Sequence, residues 1–286
     1  SHKFDIVHSH VIFFSGFVLM AAAKNGVKVR ASHSHTVRWN RKENLPYRLY
    51  TTVMRFVLKR YSNLKFACSN QSGRFLYGDK EYSNNGIIIP NGIDTARFSY
   101  NEEYRNEIRR EFSIAENELL VGHVGTVYEI KNQTFLVKVF SEIVKRKPDA
   151  ILMLVGQIVD DGPVKKVIDE CGLNEKVIFT GSRSDIYKFY QAFDIMVFQS
   201  LFEALPVSLI EAQASKLPCL ISDAVTTDVK YNDNVSFLSL SRTPSEWADT
   251  ALKLLQCKRT EIDNRQLVSV YEISNVIKLL EKYYSM

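Results

Sequence analysis

Short apolar runs alternate with longer stretches of helical periodicity along most of the chain. Runs of four to six apolar residues closed by Gly, Pro, Asn or Ser mark buried strands. Apolar positions three and four apart mark the helices that cover them. In the first third this pattern predicts strands over 4–8, 27–32, 65–68 and 86–89, with helices over 15–25, 46–62 and 70–77. The fourth strand ends in Pro90-Asn91-Gly92, a turn signal. Residues 93–115 read as a linker and one charged helix. A second series follows, with strands over 119–124, 150–155, 176–179, 194–198 and 218–221. Its first helix carries the stripe Phe135, Leu136, Val139, Phe140, Ile143 and Val144, and further helices cover 164–171, 185–192 and 206–215. Helices fill the remaining C-terminus, the last over 271–284. Strand–helix alternation with short connections predicts an α/β chain of two units, each a parallel sheet covered on both faces.

Three strands of the second series run into glycine, at Gly125, Gly156 and Gly181. Ligands of open parallel sheets bind beyond the carboxyl ends of the strands. Any one glycine there does no more than end a strand, but the three together mark the edge where chemistry is expected.

Length agrees with two units, since 286 residues at roughly 150 per domain gives about two. A chain that is 45% hydrophobic and 24% charged is neither disordered, collagen-like nor disulfide-stapled. The longest apolar stretch, 11–23, is broken by Ser15 and Gly16 and falls short of the about 20 residues that span a bilayer. Cys68, Cys171, Cys219 and Cys257 lie far apart and form no C-x-x-C pair, as expected of reduced thiols in the cytoplasm.

The net charge of +5 is unevenly spread: from Lys28 to Lys80 there are twelve Lys or Arg against Glu43 and Asp79. Within that segment Tyr50, Val53, Met54, Val57, Leu58 and Tyr61 share a helical stripe, and Arg48, Arg55 and Lys59 gather on another face. Such a helix, over 46–62, suits an anionic membrane surface at about 1 kcal/mol per well-placed cation. It equally suits a core-packed helix with a solvated basic face. No helix-turn-helix, zinc-finger or RNP signature accompanies the charge, so nucleic acid is not an expected partner.

Several chemistries are missing from the sequence. There is no G-x-G-x-x-G, no Walker A loop, no G-x-S-x-G and no H-E-x-x-H. There is no D-x-D either, and Asp160-Asp161 reads as a surface turn. The expectation is chemistry without a metal or a cofactor. The informative stretch is 200–222, which follows the strand over 194–198. Glu203 falls in a strand-to-helix loop, Pro206 suits a first helical turn, and Glu211 lies farther into the helix. The amides of Leu205, Val207 and Ser208 at the helix start form a ready anion site. Two acids flanking a phosphate site can accept hydrogen bonds from sugar hydroxyls. Two glutamates eight apart mean little in isolation, and the surrounding motifs decide.

Phe202-Glu203-Ala-Leu205-Pro206, followed by Glu211-Ala, with a strand on each side, resembles the E-x7-E motif of the retaining glycosyltransferases of family 4. Other pieces agree in order. Asp5-Ile-Val-His-Ser-His10 resembles that family's N-domain strand, and Val29-Arg-Ala-Ser-His33-Ser-His35 the strand and loop carrying its active-site histidine. Ile89-Pro-Asn-Gly-Ile-Asp94 is similar to the turn before its interdomain linker. Gly122-His-Val-Gly125 with Lys131-Asn132 is similar to its phosphate loop, and Phe179-Thr-Gly-Ser-Arg-Ser-Asp185 to its nucleotide-side loop. The resemblance covers nearly the whole chain and is strongest toward the bacterial capsule and exopolysaccharide branch.

The resemblance implies a GT-B fold, two Rossmann-like parallel-sheet domains with a cleft between them. The implied division is an acceptor-side domain over 1–105, a donor-binding domain over 106–262, and a C-terminal helix over 263–286 packing back on the first. The implied activity is transfer of a hexose, with retention and without a metal, from a nucleoside-diphosphate sugar to a glycan or lipid-linked acceptor. That places the chain in cell-surface polysaccharide synthesis, in the cytoplasm or peripherally at the inner face of the plasma membrane. Glu211 would hold the donor ribose, Glu203 the sugar hydroxyls, and Lys131 the departing diphosphate. His33 or His35 would stand near the transferred sugar. Gly125, Thr126, Leu205, Pro206 and Val207 would line the diphosphate, and Arg183 and Asp185 the nucleoside.

Three positions depart from the family pattern. Thr126 stands where an arginine usually follows the phosphate-loop glycine, so one cation is missing. Ala204 and Lys216 stand where glycines are common. The family's opening strand and glycine-rich loop also have no counterpart, so the N-terminal domain is expected to be incomplete. Two other readings stay open: a truncated or degenerate protein that binds nucleotide sugar without turnover, and a nucleotide-sugar epimerase on the same fold.

Overall fold

The structure is a computed structural model that describes residues 3–37 and 44–285. Ser1 and part of the basic segment (Arg38, Arg41, Lys42 and Glu43) lie outside the described residues. The chain divides into two compact units, Ser1–Gly92 with Val270–Met286, and Ile93–Ser269.

The first unit is a parallel sheet in the order β1-β2-β3-β4, formed by β1 (Ile6–Ser9), β2 (Val29–Ser34), β3 (Leu64–Ala67) and β4 (Gly86–Ile88). Between them run α1 (Ser15–Lys24), α2 (Leu45–Tyr61), α3 (Asn70–Tyr77) and α4 (Asp79–Asn85). Asn44 caps α2, with Leu45-Pro46 opening it, and Ser69 starts α3 in a capping box with Ser72. Phe13, Leu19, Met54, Leu58 and Leu76 fill one side of the sheet. Sequence periodicity misplaced part of the α2 stripe. Thr51, Met54 and Leu58 face the core, whereas Val53 is half exposed and Leu45, Leu49 and Phe56 stand in solvent. A second apolar line therefore runs along the outer face, and one period could not separate the two.

The second unit is built on a six-stranded parallel sheet in the order β10-β9-β8-β5-β6-β7. It opens with α5 (Thr95–Phe98) and α6 (Glu102–Glu111), then β5 (Leu120–Val124), α7 (Gln133–Arg146), β6 (Ile151–Val155), α8 (Gly162–Glu170) and β7 (Val177–Gly181). There follow α9 (Ile186–Ala192), β8 (Ile195–Phe198), α10 (Val207–Ala214), β9 (Cys219–Ser222), β10 (Val235–Leu238), α11 (Pro244–Leu254) and α12 (Arg265–Tyr271). The core behaves as the periodicity predicts: Leu136, Val139, Phe140 and Ile143 of α7 are buried against Val121, Leu152, Ile195 and Trp247.

The chain's last helix, α13 (Ile273–Tyr284), belongs to the first unit, where Val276, Leu279, Leu280, Tyr283 and Tyr284 pack with Ala31, Phe66 and Ile89. The unit boundaries fall at 92/93 and 269/270 rather than at 105 and 262. The stretch taken as a linker and one helix holds two helices that pack inside the second unit. The Phe98 carbonyl there accepts from Ser215 Oγ at 2.8 Å and from Gln191 Nε2 at 3.1 Å. Residues after β9 are not all helical either. Val235-Ser-Phe-Leu238 adds β10 at the sheet edge, a strand too short and half-buried to stand out in a hydropathy pattern.

All four cysteines are free, and no described helix is long and apolar enough to cross a membrane.

Candidate active site

Strand order locates the site in the second unit. Taken in sequence order its strands lie 6-5-4-1-2-3, the doubly wound arrangement in which the order reverses between the first and fourth strands. Those strands are β5 and β8, paired through Val121 and Ile195. Beyond their carboxyl ends lie Gly125-Thr126 and the loop 199–206.

Three hydrogen bonds stitch these two connections together. After β5 the chain makes a short turn over Glu129–Lys131, and Asn132 takes a left-handed conformation (φ 55°) before α7. Asn132 Nδ2 donates to the Gln199 carbonyl at 3.3 Å, Gln199 Nε2 to the Lys131 carbonyl at 2.6 Å, and the Leu201 amide to the Ile130 carbonyl at 2.8 Å. The result sets Lys131 Nζ 2.6 Å from Glu203 Oε1, both side chains about four-fifths buried. Lys131 also lies over the Phe198 ring, 5.1 Å from its centre. The two residues that the sequence assigned to diphosphate and sugar are thus one charge-assisted pair, seventy-two positions apart in sequence.

The Gly125-Thr126 loop rests on a buried histidine. His123 is fully buried, and burial, with Lys131 adding to it, lowers its pKa to about 4. The neutral ring donates from Nδ1 to the Val197 carbonyl at 3.0 Å and accepts at Nε2 from Gln133 Nε2 at 3.3 Å. Gln133 also donates to the Thr126 carbonyl at 2.9 Å. Gly156, at the end of β6, meets this loop at van der Waals limit. A Cβ there would stand 2.3 Å from the Gly125 carbonyl oxygen. Gly125 and Gly156 both donate along the sheet edge, to Val155 and Gly181.

At the helix that follows β8, Pro206 is the N-cap, Val207 begins α10, and no side chain caps it. Leu205 and Pro206 are buried beside it. In the same connection Gln199 Oε1 and Ser200 Oγ are buried without a protein partner. Glu211, one turn into α10, accepts from the hydroxyl of fully buried Tyr190 at 2.7 Å through Oε2. Burial raises its pKa, and the Tyr190 bond opposes that rise. Glu211, which the resemblance assigns to the donor ribose, thus also holds a core hydroxyl. Lys216, just past α10, has φ 56°. That left-handed position is where glycine would be free of strain.

Arg183 and Asp185, after β7, spend their charge on each other and on Glu111. Arg183 Nε and Nη2 contact Asp185 at 2.9 Å, and Nη1 contacts Glu111 at 2.9 Å. The pairing with Arg183 lowers the Asp185 pKa and raises that of Arg183. Neither charge is free for a nucleoside in this arrangement.

His33 and His35 lie in the first unit, within a group of four imidazoles that the sequence reading did not assemble. His33 and His35 are 4.1 Å apart between ring centres, His8 and His10 4.2 Å, and His10 Nδ1 meets His35 Nε2 at 2.8 Å. Burial lowers every one of these pKa values, that of His33 to about 2 and that of His8 to about 4, so the group is neutral at pH 7. The signal for His8 and His10 was present as a second His-Ser-His. Tyr190, His123, Gln133 and Gln199 carried no signal, because buried polar residues are assigned by their partners.

Comparison with known proteins places these features in a family. The family model described as glycosyl transferases group 1 matches residues 104–268, more than half of the chain, and that described as glycosyltransferase family 4 matches residues 1–97. EpsF of Bacillus subtilis (strain 168), named as a glycosyltransferase, is 38% identical over 253 residues, which cover 86% of this chain and 65% of EpsF. The chain thus spans just under two thirds of that relative's length. The capsular polysaccharide biosynthesis glycosyltransferase CapH of Staphylococcus aureus is 26% identical over 98% of this chain and 76% of its own. Among solved structures, Anabaena HepE in complex with UDP superposes with a TM-score of 0.82 at 17% identity, covering all of this chain and 80% of HepE. Two parallel-sheet domains with neighbours of this kind make the fold GT-B.

Proposed function

We infer the activity from one premise: this chain belongs to the group 1 glycosyl transferases, whose model matches more than half of it. It transfers a hexose from a nucleoside-diphosphate sugar to a glycan or lipid-linked acceptor in the building of a cell-surface polysaccharide. The carrying observation is the Lys131–Glu203 pair at the switch point, beside the uncapped start of α10. Lys131 and the amides of Val207 and Ser208 offer positive charge to a diphosphate. Glu203 offers acceptor oxygens to sugar hydroxyls, and Glu211 offers them to a ribose. UDP is the first nucleotide to test, since HepE was solved with it. Transfer with retention fits a same-face attack in which the departing diphosphate takes the acceptor proton. Neutral His33 or His35 serves the sugar side, and no cofactor is required.

Thermal shift with UDP, GDP, ADP and TDP tests the donor half. Nucleotide at 100 times its Kd adds about 2.7 kcal/mol, a rise of roughly 2–4 °C for a protein this size. In Glu211→Ala the expected rise vanishes. The variant also leaves the Tyr190 hydroxyl without its partner, at about 1–3 kcal/mol, so the ligand-induced difference is the readout and not the melting point. A rise equal to that of the parent removes Glu211 from the site. Binding without transfer to any acceptor would favour the binding-only alternative.

The same group sets a pH signature. The folded-state pKa of Glu211 is raised, so its contribution to stability of the free protein is present at low pH and lost as pH climbs through that raised value. Nucleotide hydroxyls need the ionised form, so the ligand-induced rise should grow over the same interval.

Peripheral membrane attachment is the second part of the reading, carried by α2. Leu45, Leu49, Val53 and Phe56 line its outer face at 79%, 65%, 50% and 71% exposure, flanked by exposed Arg48, Lys59 and Arg60. An apolar line bordered by cations is the pattern of a helix lying in an anionic lipid interface. Sedimentation with phosphatidylglycerol-rich vesicles should carry the protein down, and phosphatidylcholine vesicles should not. Leu49→Ser with Phe56→Ser should lower partitioning at least about tenfold, since each apolar side chain is worth about 1.5–3 kcal/mol. Equal sedimentation of parent and variant would exclude α2 as the contact.

A further inference from the structure

The four imidazoles of the first unit form an ordered donor set. His-Ser-His occurs twice, at 8–10 and 33–35. Alternation along a strand turns both histidines of each triplet to one face. The β1/β2 register pairs His8 with Ala31 and Ser9 with Ser32, so the two triplets lie on adjacent strands offset by two residues. The intervening serines turn to the other face, where Ser9 Oγ meets Ser15 Oγ and Ser34 Oγ donates to the Ser72 carbonyl.

His8, His10 and His33 each have one ring nitrogen tied and one left over, whereas both nitrogens of His35 are tied. His33 Nε2 donates to the Ile89 carbonyl at 3.3 Å, which leaves Nδ1 as a bare lone pair, buried and without a partner. His8 Nδ1 meets the Tyr284 hydroxyl at 2.6 Å, and His8 Nε2 is likewise buried without a partner. His35 Nδ1 donates to Asn91 Oδ1 at 3.0 Å, so its Nε2 accepts from His10 Nδ1 at 2.8 Å, and His10 Nε2 remains. One ring nitrogen from each of His8, His10 and His33 lies within 4.8 Å of the other two.

We propose that His8, His10 and His33 form a three-histidine site for a divalent transition metal of the zinc class. Buried polar atoms in native proteins almost always have partners, and here two unpartnered imidazole nitrogens sit in one cluster with a third histidine. Imidazole nitrogen is a preferred zinc ligand, and three histidines are an established set. The tied nitrogens supply the outer shell: the Ile89 carbonyl and His35 each fix a tautomer with a lone pair left to bind the metal, and the Tyr284 hydroxyl can accept from His8 Nδ1 to free Nε2 in the same way. Tetrahedral zinc with bonds of about 2.0–2.1 Å spaces its ligand nitrogens by about 3.3 Å, so the rings need close only a little. No carboxylate or thiolate of the described residues joins the group, and the fourth position falls to water or an anion. The site shares His33 with the sugar side of the proposed transfer, so the metal is read by its own spectrum and not by activity.

Cobalt(II) is the probe, added to the full chain after chelator treatment and dialysis. The expected result is visible ligand-field absorption that saturates at a single equivalent and is bleached by zinc. His10→Ala, at the exposed end of the group, keeps the buried packing and should weaken cobalt binding more than tenfold. Tyr284→Phe should weaken it about 10-fold or more as an outer-shell change. A folded parent that shows no absorption at one equivalent overturns the proposal. So does absorption that His10→Ala leaves unchanged. Circular dichroism of each variant confirms that the comparison is between folded proteins.

Discussion

Lys131→Ala is expected to lower kcat by about 10²–10³ with folding nearly intact. In the proposed reaction Lys131 meets the negative charge that grows on the departing diphosphate, and losing one such donor costs that much in preorganised sites. Nothing in the same loop can replace it: Thr126 stands where the family usually has an arginine, and a neutral hydroxyl stabilises a leaving diphosphate less. Lys131 and Glu203 are each about four-fifths buried, so losing the lysine leaves a largely buried carboxylate unpaired and should cost about 1–3 kcal/mol of stability. Steady-state rates with the donor found by thermal shift give the comparison. Because Lys131 and Glu203 act as a pair, the double variant with Glu203→Ala should fall short of the product of the two single effects. A kcat within about threefold of the parent in Lys131→Ala would remove the leaving-group role.

Gly156→Ala is expected to be the most destabilising conservative change in the second unit. The new Cβ would stand 2.3 Å from the Gly125 carbonyl oxygen and 3.2 Å from the Thr126 amide nitrogen, both backbone atoms that cannot rotate away. The residue itself has φ 148°, outside the range that alanine adopts without strain. Backbone strain of about 1–3 kcal/mol and overpacking of about 1–3 kcal/mol act together, so a loss of about 3 kcal/mol or more is expected in urea unfolding. Gly172→Ala also has a positive φ but meets nothing within 4 Å, and it isolates the strain from the clash. Equal losses in the two would show that crowding at the phosphate loop contributes nothing.

The alternation of strands and helices disclosed the parallel-sheet architecture. Strand ends at Gly125, Gly156 and Gly181 are the edge where the sequence expects a ligand, and the β5/β8 switch point lies on that edge. What could not be read was pairing. Lys131 and Glu203 are far apart in the chain, and only the stitched connections after β5 and β8 bring them together. Arg183 and Asp185 look free in sequence and are engaged in three dimensions. The resemblance assigns Glu211 to the donor ribose, and nothing in the sequence shows that it also accepts from the Tyr190 hydroxyl. The α2 helix shows a limit of periodicity. Two apolar faces on one helix give a blurred signal, and burial alone tells which one the fold uses. At Lys216 the family's glycine foretold the left-handed turn, and this chain takes that conformation with a side chain attached.

The return of α13 to the first unit gives the protein an order of assembly. The chain leaves that unit after Gly92 and rejoins it at Val270, so all of the second unit emerges from the ribosome before the helix that completes the first. Until then Ala31, Phe66 and Ile89 lack their cover, and His8 lacks the Tyr284 hydroxyl. At about 5–20 residues per second, the second unit has its whole sequence available while the first still waits for its final turns. A nascent chain of this protein therefore carries an open apolar face until α13 has been made, and a premature stop shortly after residue 269 would leave the later-born unit whole and the earlier-born one without its cover.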